Sequence, residues 1–294
     1  MGRDGESRVI LLGVVASERG AAGNEPVITS DGGGSTATIA TITGQTSVTT
    51  VVATGATPIV YSISGGADQA LFSIDGSTGV LTYQAPASTG THAVIVRATN
   101  DFGYDEQAIT SQVGAVPVIT SNGGGPTASV NVITGQTAVT TVTATGTASI
   151  SFTKSGEMAA LFNLNPSSGV LGFAAPALTG DTPVTVTATN TWGHDDQDIT
   201  VHAGVVPVIT SDGGGPTATI PVSSPSQAVT TVVATGTATI AYTKSGADAA
   251  LFSIDNSSGV LAFLAPSVNG DYAVTVTATN TWGADSQDIT VNVT

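Results

Sequence analysis

The chain has 294 residues, a formal net charge of −15 and no cysteine, which excludes disulfide frameworks, thiolate metal sites and cysteine nucleophiles. Hydrophobic residues make up 40% and charged residues only 9%, too apolar a balance for a disordered chain. Three of the six basic residues, Arg3, Arg8 and Arg19, lie near the N-terminus, so the rest is an acidic surface that repels phosphate backbones and anionic lipid.

The first 25 residues differ from everything that follows. They hold one apolar stretch, Val9-Ile10-Leu11-Leu12-Gly13-Val14-Val15-Ala16, far short of the ~20 residues needed to cross a bilayer. Asp4 and Glu6 beside Arg3 and Arg8 leave the leading stretch without the positive charge of an export signal. A β-prone apolar run flanked by charges suits addition to the edge of another protein's sheet. Residues 1–25 are therefore expected to be a docking segment, with Val9, Ile10, Leu11, Leu12, Val14 and Val15 as the contact residues. The competing expectation is a frayed tail, or a strand folded onto the first domain.

From Pro26 onward the sequence repeats. Pro26-Val27-Ile28-Thr29 returns 91 residues later at Pro117 and 90 residues after that at Pro207. Each copy continues into Ser, then Asp31, Asn122 or Asp212, then three glycines. No helix N-terminus and no Lys-Ser/Thr follow those glycines, so they read as turns needing positive φ rather than as a phosphate cradle. Within each copy, valine alternates with threonine, as in Val184, Val186 and Ala188 against Thr185, Thr187 and Thr189. Period two with one apolar side describes strands that cover a core. Val139-Thr140-Thr141-Val142 breaks the period and predicts a bulge or a strand passing between sheets.

About seven strands per copy, with frequent turn signals and no helical period, predict an antiparallel β-sandwich. The domains are expected at 26–116, 117–206 and 207–294. Their joints, Gly114-Ala115-Val116-Pro117 and Gly204-Val205-Val206-Pro207, are short, apolar and stiffened by proline, which predicts a rod of three sandwiches.

Three motifs carry a family resemblance: the Pro-Val-Ile-Thr-Ser-Asp/Asn-Gly-Gly-Gly opening, the Leu-Phe-Ser-Ile-Asp…Gly-Val-Leu centre, and the Ala-Thr-Asn…Gln-Asp-Ile-Thr-Val ending. With these, residues 26–294 resemble the bacterial cadherin-like repeats and, more loosely, immunoglobulin-like modules of bacterial and phage surface proteins. The resemblance implies calcium at domain junctions, held by a glutamate, an Asp-x-Asp, an acidic pair and an acidic linker. Here the glutamate position falls near Gly44 and Gly135. The Asp-x-Asp position reads Thr54-Gly55-Ala56, Thr145-Gly146-Thr147 and Thr235-Gly236-Thr237, and the linkers lack a carboxylate. Calcium wants six to eight oxygens in one place. No metal is expected at these junctions, and joint stiffness must come from direct packing.

Nothing else points to chemistry, so no catalytic residue, cofactor site or metal site is expected. His194-Asp195-Asp196 is the one histidine with adjacent acids, and it reads as a solvated turn because its counterparts are Tyr104-Asp105-Glu106 and Ala284-Asp285-Ser286. Phe102, Trp192 and Trp282 occupy one position in each copy, where a ring can seal the core or contact a surface; sealing is the favoured expectation. Asn256 and Asn292 match glycosylation acceptors, which matters only in a eukaryotic secretory setting.

The expected function is non-enzymatic: a virion structural protein, such as a phage capsid or tail decoration or fibre. Residues 1–25 would dock to a capsid or tail protein at the virion surface, and the repeats would project outward. The alternative is a bacterial cell-surface or secreted adhesin or spacer that binds carbohydrate or a host surface, with a cell-surface glycan met at the distal end. Neither reading involves nucleic acid or membrane insertion.

Overall fold

The computed structural model describes residues 24–294. The expected docking segment, with Val9, Ile10, Leu11, Leu12, Val14 and Val15, lies outside the described residues. The chain divides into two compact units, one ending at Ala115 and the other spanning Val116–Thr294.

The first unit holds one sandwich. Its strands are β1 (Val27–Ile28), β2 (Thr36–Ile42), β3 (Ser47–Thr50), β4 (Ala53–Thr54), β5 (Val60–Gly65), β6 (Phe72–Ile74), β7 (Val80–Tyr83), β8 (Gly90–Asn100) and β9 (Gly103–Gly114). One sheet has the order β2-β9-β8-β5; the facing layer combines β3-β7-β6 with the β1-β4 pair. Since β3 and β4 are two parts of one interrupted strand, the expected seven strands are present, with the first split between layers. The second unit repeats the arrangement twice, in the same strand order and nearly the same register. The chain is all-β, built from three immunoglobulin- and cadherin-like tandem sandwiches, with only a three-residue 3₁₀ turn in each.

The alternation places the core. Val94, Val96 and Ala98, their counterparts Val184, Val186 and Ala188, and Val274, Val276 and Ala278 are all buried, and the residues between them, Ile95 and Arg97 in the first copy and threonines in the other two, lie on the opposite face. Burying each valine contributes roughly 1.5–3 kcal/mol. At the centre of each core, Phe72, Phe162 and Phe252 pack on Tyr83, Phe173 and Phe263 with ring centroids 4.5, 4.7 and 4.5 Å apart. Such pairs add about 0.5–1.5 kcal/mol beyond the area they bury.

Two local features refine the sequence reading. The break at Val139–Val142 is a bulge, with the register shifting between Ala138 and Thr140; the same shift recurs at Ser47/Thr49 and Ala228/Thr230. The passage between sheets occurs earlier, at the triple-glycine turn. It delivers β2 alongside β9 in parallel, Thr36 opposite Ala108 through Ile42 opposite Gly114. Each sandwich is thus antiparallel except for this one pair.

Candidate functional site

The triple-glycine turn is held by a buried glutamine. Asp31, Gly32 and Gly33 take φ of 51°, 88° and 65°, so the positive-φ stretch begins at the aspartate and ends before the third glycine. Gln107, on the inward face of β9 and fully buried, donates from Nε2 to the carbonyls of Ser30 and Gly34 at 3.3 and 2.9 Å. Gln197 and Gln287 do the same in the second unit. Neighbouring carboxylates are also committed: Asp105, Asp195 and Asp285 accept from the backbone N–H of Ile28, Ile119 and Ile209 at 2.9, 2.7 and 2.7 Å. Asp195 is therefore not a solvated turn residue as expected, because it anchors the first strand of its sandwich.

The richest constellation lies at the joint between the second and third repeats, inside the second unit. The turn Asn280–Gly283 and the segment Gly236–Thr237 form a socket around Val205–Val206–Pro207. Asn280 Nδ2 donates to the carbonyls of Val205 and Thr237, both at 2.8 Å, and its Oδ1 accepts from the N–H groups of Trp282 and Gly283. Val205 and Thr237 bond reciprocally: Val205 N–H donates to Thr237 Oγ1 at 2.8 Å, and Thr237 N–H to the Val205 carbonyl at 3.1 Å. A β-carbon on Gly283 would stand 2.9 Å from Val206 Cγ1, so the backbone must be bare there.

Trp282 closes the socket. Its ring covers Gly204, the last residue of the preceding sandwich's final strand, and its Nε1–H donates to the His202 carbonyl at 3.1 Å. The favoured expectation that these rings seal their own core is thus corrected for Trp282, which packs on the neighbouring repeat. Phe102 is 56% exposed. Trp192 is half-buried, its N–H held by Asn190 Oδ1 at 2.9 Å.

Gly55, Gly146 and Gly236, which stand where the resemblance would place an Asp-x-Asp, touch Glu25–Pro26, Val116–Pro117 and Val206–Pro207. These are backbone-to-backbone contacts. Among the described residues no three histidine, aspartate or glutamate side chains gather closely enough to hold a metal. The lysines and the arginine of these residues are engaged. Arg97 bridges Glu106 at 2.8 Å and lies 4.4 Å from the centre of the Tyr104 ring, while Lys154 and Lys244 each donate to a carbonyl of the adjacent 3₁₀ turn. No helix among them is long and apolar enough to cross a membrane.

Asn100/Asn190/Asn280 and Gln107/Gln197/Gln287 were not singled out as functional positions in the sequence. A signal existed for both: the asparagine ends every Ala-Thr-Asn, and the glutamine falls in the inward register two residues before Ile109, Ile199 or Ile289.

Known structures similar to this chain are tandem cadherin and immunoglobulin domains. Drosophila OTK extracellular domains 3–5 are 18% identical over 93% of this chain and 99% of that one, with a TM-score of 0.47. The titin I-band fragment I67–I69 is 15% identical over 92% and 98%, TM-score 0.42. Mouse cadherin-23 EC22–24 is 16% identical over 92% and 99%, TM-score 0.30. No family model and no curated protein matches the sequence.

Proposed function

We propose that the chain is a non-enzymatic structural protein of a virion, a capsid or tail decoration whose repeats project from the particle while residues 1–25 dock to it. The observation that carries this reading is the joint at Trp282. There one repeat grips the next through backbone, asparagine and ring contacts. A molecule that commits Asn280 and Trp282 to fixing one repeat against the next is suited to holding a distance. Trp282 is spent on that joint, which weighs against its stacking on a sugar and so against the adhesin alternative. The acidic surface and the apolar, β-prone run Val9–Val15 support docking to protein rather than to nucleic acid or membrane.

The test deletes residues 2–16 and follows assembly by imaging purified particles. The deleted chain is expected to stay folded and soluble and to be lost from the particle. Incorporation at the full-length level would exclude the docking role.

A further inference from the structure

One sheet face is built three times along the chain, and its outward residues change character in the first repeat. There the β8–β9 ladder sets Thr99 opposite Tyr104, Arg97 opposite Glu106 and Ile95 opposite Ala108. The corresponding pairs are Thr189–His194, Thr187–Asp196 and Thr185–Asp198 in the second repeat, and Thr279–Ala284, Thr277–Ser286 and Thr275–Asp288 in the third. Several of these threonine pairs are hydrogen-bonded within themselves. Thr185 and Thr275 donate to Asp198 and Asp288 at 2.6 Å, and the Thr277 and Ser286 hydroxyls bond at 2.8 Å. In the first repeat Ile95–Ala108 replaces a threonine–aspartate pair, Tyr104 is 60% exposed, and Val60, opposite Thr99 on β5, is 54% exposed. Tyrosine and arginine set among aliphatic side chains are the composition of a protein–protein contact.

Charge selects the partner. The outward residues of β5, β8 and β9 include one cation and one anion, Arg97 and Glu106, bridged at 2.8 Å. Glu106 accepts hydrogen bonds from Ser64 and Arg97, which hold its carboxyl below the usual glutamate range and keep the pair charged. This face is thus neutral on a chain whose net charge is −15, so two such chains can meet on it without net repulsion. A cation beside an anion is also self-complementary. In an isologous contact, residue i of one chain meets residue j of the other, and j meets i. A two-fold axis running along the strands between β8 and β9 lays Arg97 on Glu106 of the second chain, Ile95 on its Ala108 and Tyr104 on its Thr99. We propose that two copies of this chain pair face to face through the outward side of β8 and β9 in the first repeat. The pairing is independent of what residues 1–25 dock to.

Sedimentation of the full-length chain over a concentration series tests it. The wild type is expected to pass from monomer to dimer and no further, because an isologous contact closes at two. Arg97→Glu sets carboxylate against carboxylate and Glu106→Arg sets guanidinium against guanidinium, and each variant alone is expected to lose affinity roughly hundredfold. An equimolar mixture of the two variants restores opposite charges at both crossed contacts and is expected to dimerise with near wild-type affinity. A folding defect in either variant cannot produce that recovery. A wild type that stays monomeric throughout would overturn the proposal and leave the face to a partner of another kind. Single variants that dimerise like the wild type, or a mixture that stays monomeric, would overturn it equally.

Discussion

Trp282 lies over Gly204 so closely that a β-carbon on the glycine would sit 2.3 Å from the indole. Gly204→Ala must therefore lift the ring from the joint without touching either core. With Trp192 replaced by phenylalanine, the emission of Trp282 is expected to shift to the red in Gly204→Ala. Loss of joint packing of this kind costs typically 1–3 kcal/mol. Unchanged emission would mean the ring does not rest on the preceding strand.

Asn280 is the polar centre of the same joint. Asn280→Ala removes both donors to Val205 and Thr237 and the acceptor for Trp282 and Gly283. The expected loss is about 2 kcal/mol, since the Thr237 carbonyl and the N–H groups of Trp282 and Gly283 lose their partner while the Val205 carbonyl keeps the Thr237 N–H. Urea unfolding of the full chain, set against Asn100→Ala and Asn190→Ala, measures it.

The glutamine clamp separates the repeats by one atom. In the second repeat Asn122 Nδ2 donates to Gln197 Oε1 at 3.1 Å, while Asn122 Oδ1 accepts from Thr140. Asp31 and Asp212 take that place in the others, and no protein group donates to the buried Oε1 of Gln107 or Gln287. Asp31→Asn and Asp212→Asn should each stabilise by about 1 kcal/mol, and Asn122→Asp should destabilise by about 1–3 kcal/mol. Chemical unfolding would show the reversal of sign; a loss of stability in Asp31→Asn would sink the argument.

Acid acts on a different turn. Asp255 accepts from the N–H groups of Ser258 and Ser257, and Asp75 from those of Thr78 and Ser77; these bonds hold both carboxyls below the usual aspartate range. A depressed folded-state value means the stabilisation is present above the unfolded-state value and is lost as pH falls through the folded one. Asn165 makes the equivalent bonds without a titrating group. Asp255→Asn is therefore expected to flatten the fall in thermal midpoint below the aspartate range, whereas a change at neutral pH alone would contradict it.

Much of this architecture was readable because burial on a strand has period two. Val184, Val186 and Ala188 could face only one way, and the misfit at Val139 marked a real register shift. The pairing of β2 with β9 was not readable, since alternation assigns a face and says nothing of a strand's neighbour or direction. Nor was the seat of Trp282. Its sequence position marks a turn, but the glycine it covers belongs to another sandwich, and only the folded register brings the two together. Asp195 misled for a related reason: beside a histidine it looked solvated, and its true partner, the N–H of Ile119, is remote in sequence.

The parallel pairing of β2 and β9 bears on how a repeat meets tension. Pulled from its two ends, a repeat has β2 drawn toward the N-terminus and β9 toward the C-terminus. Because the strands run the same way, these pulls oppose one another along the ladder's length. The rungs from the Ala108 N–H on the Ser35 carbonyl to the Thr43 N–H on the Gly114 carbonyl are then sheared together rather than unzipped in turn. A tether strung from such units yields only when a whole ladder breaks at once.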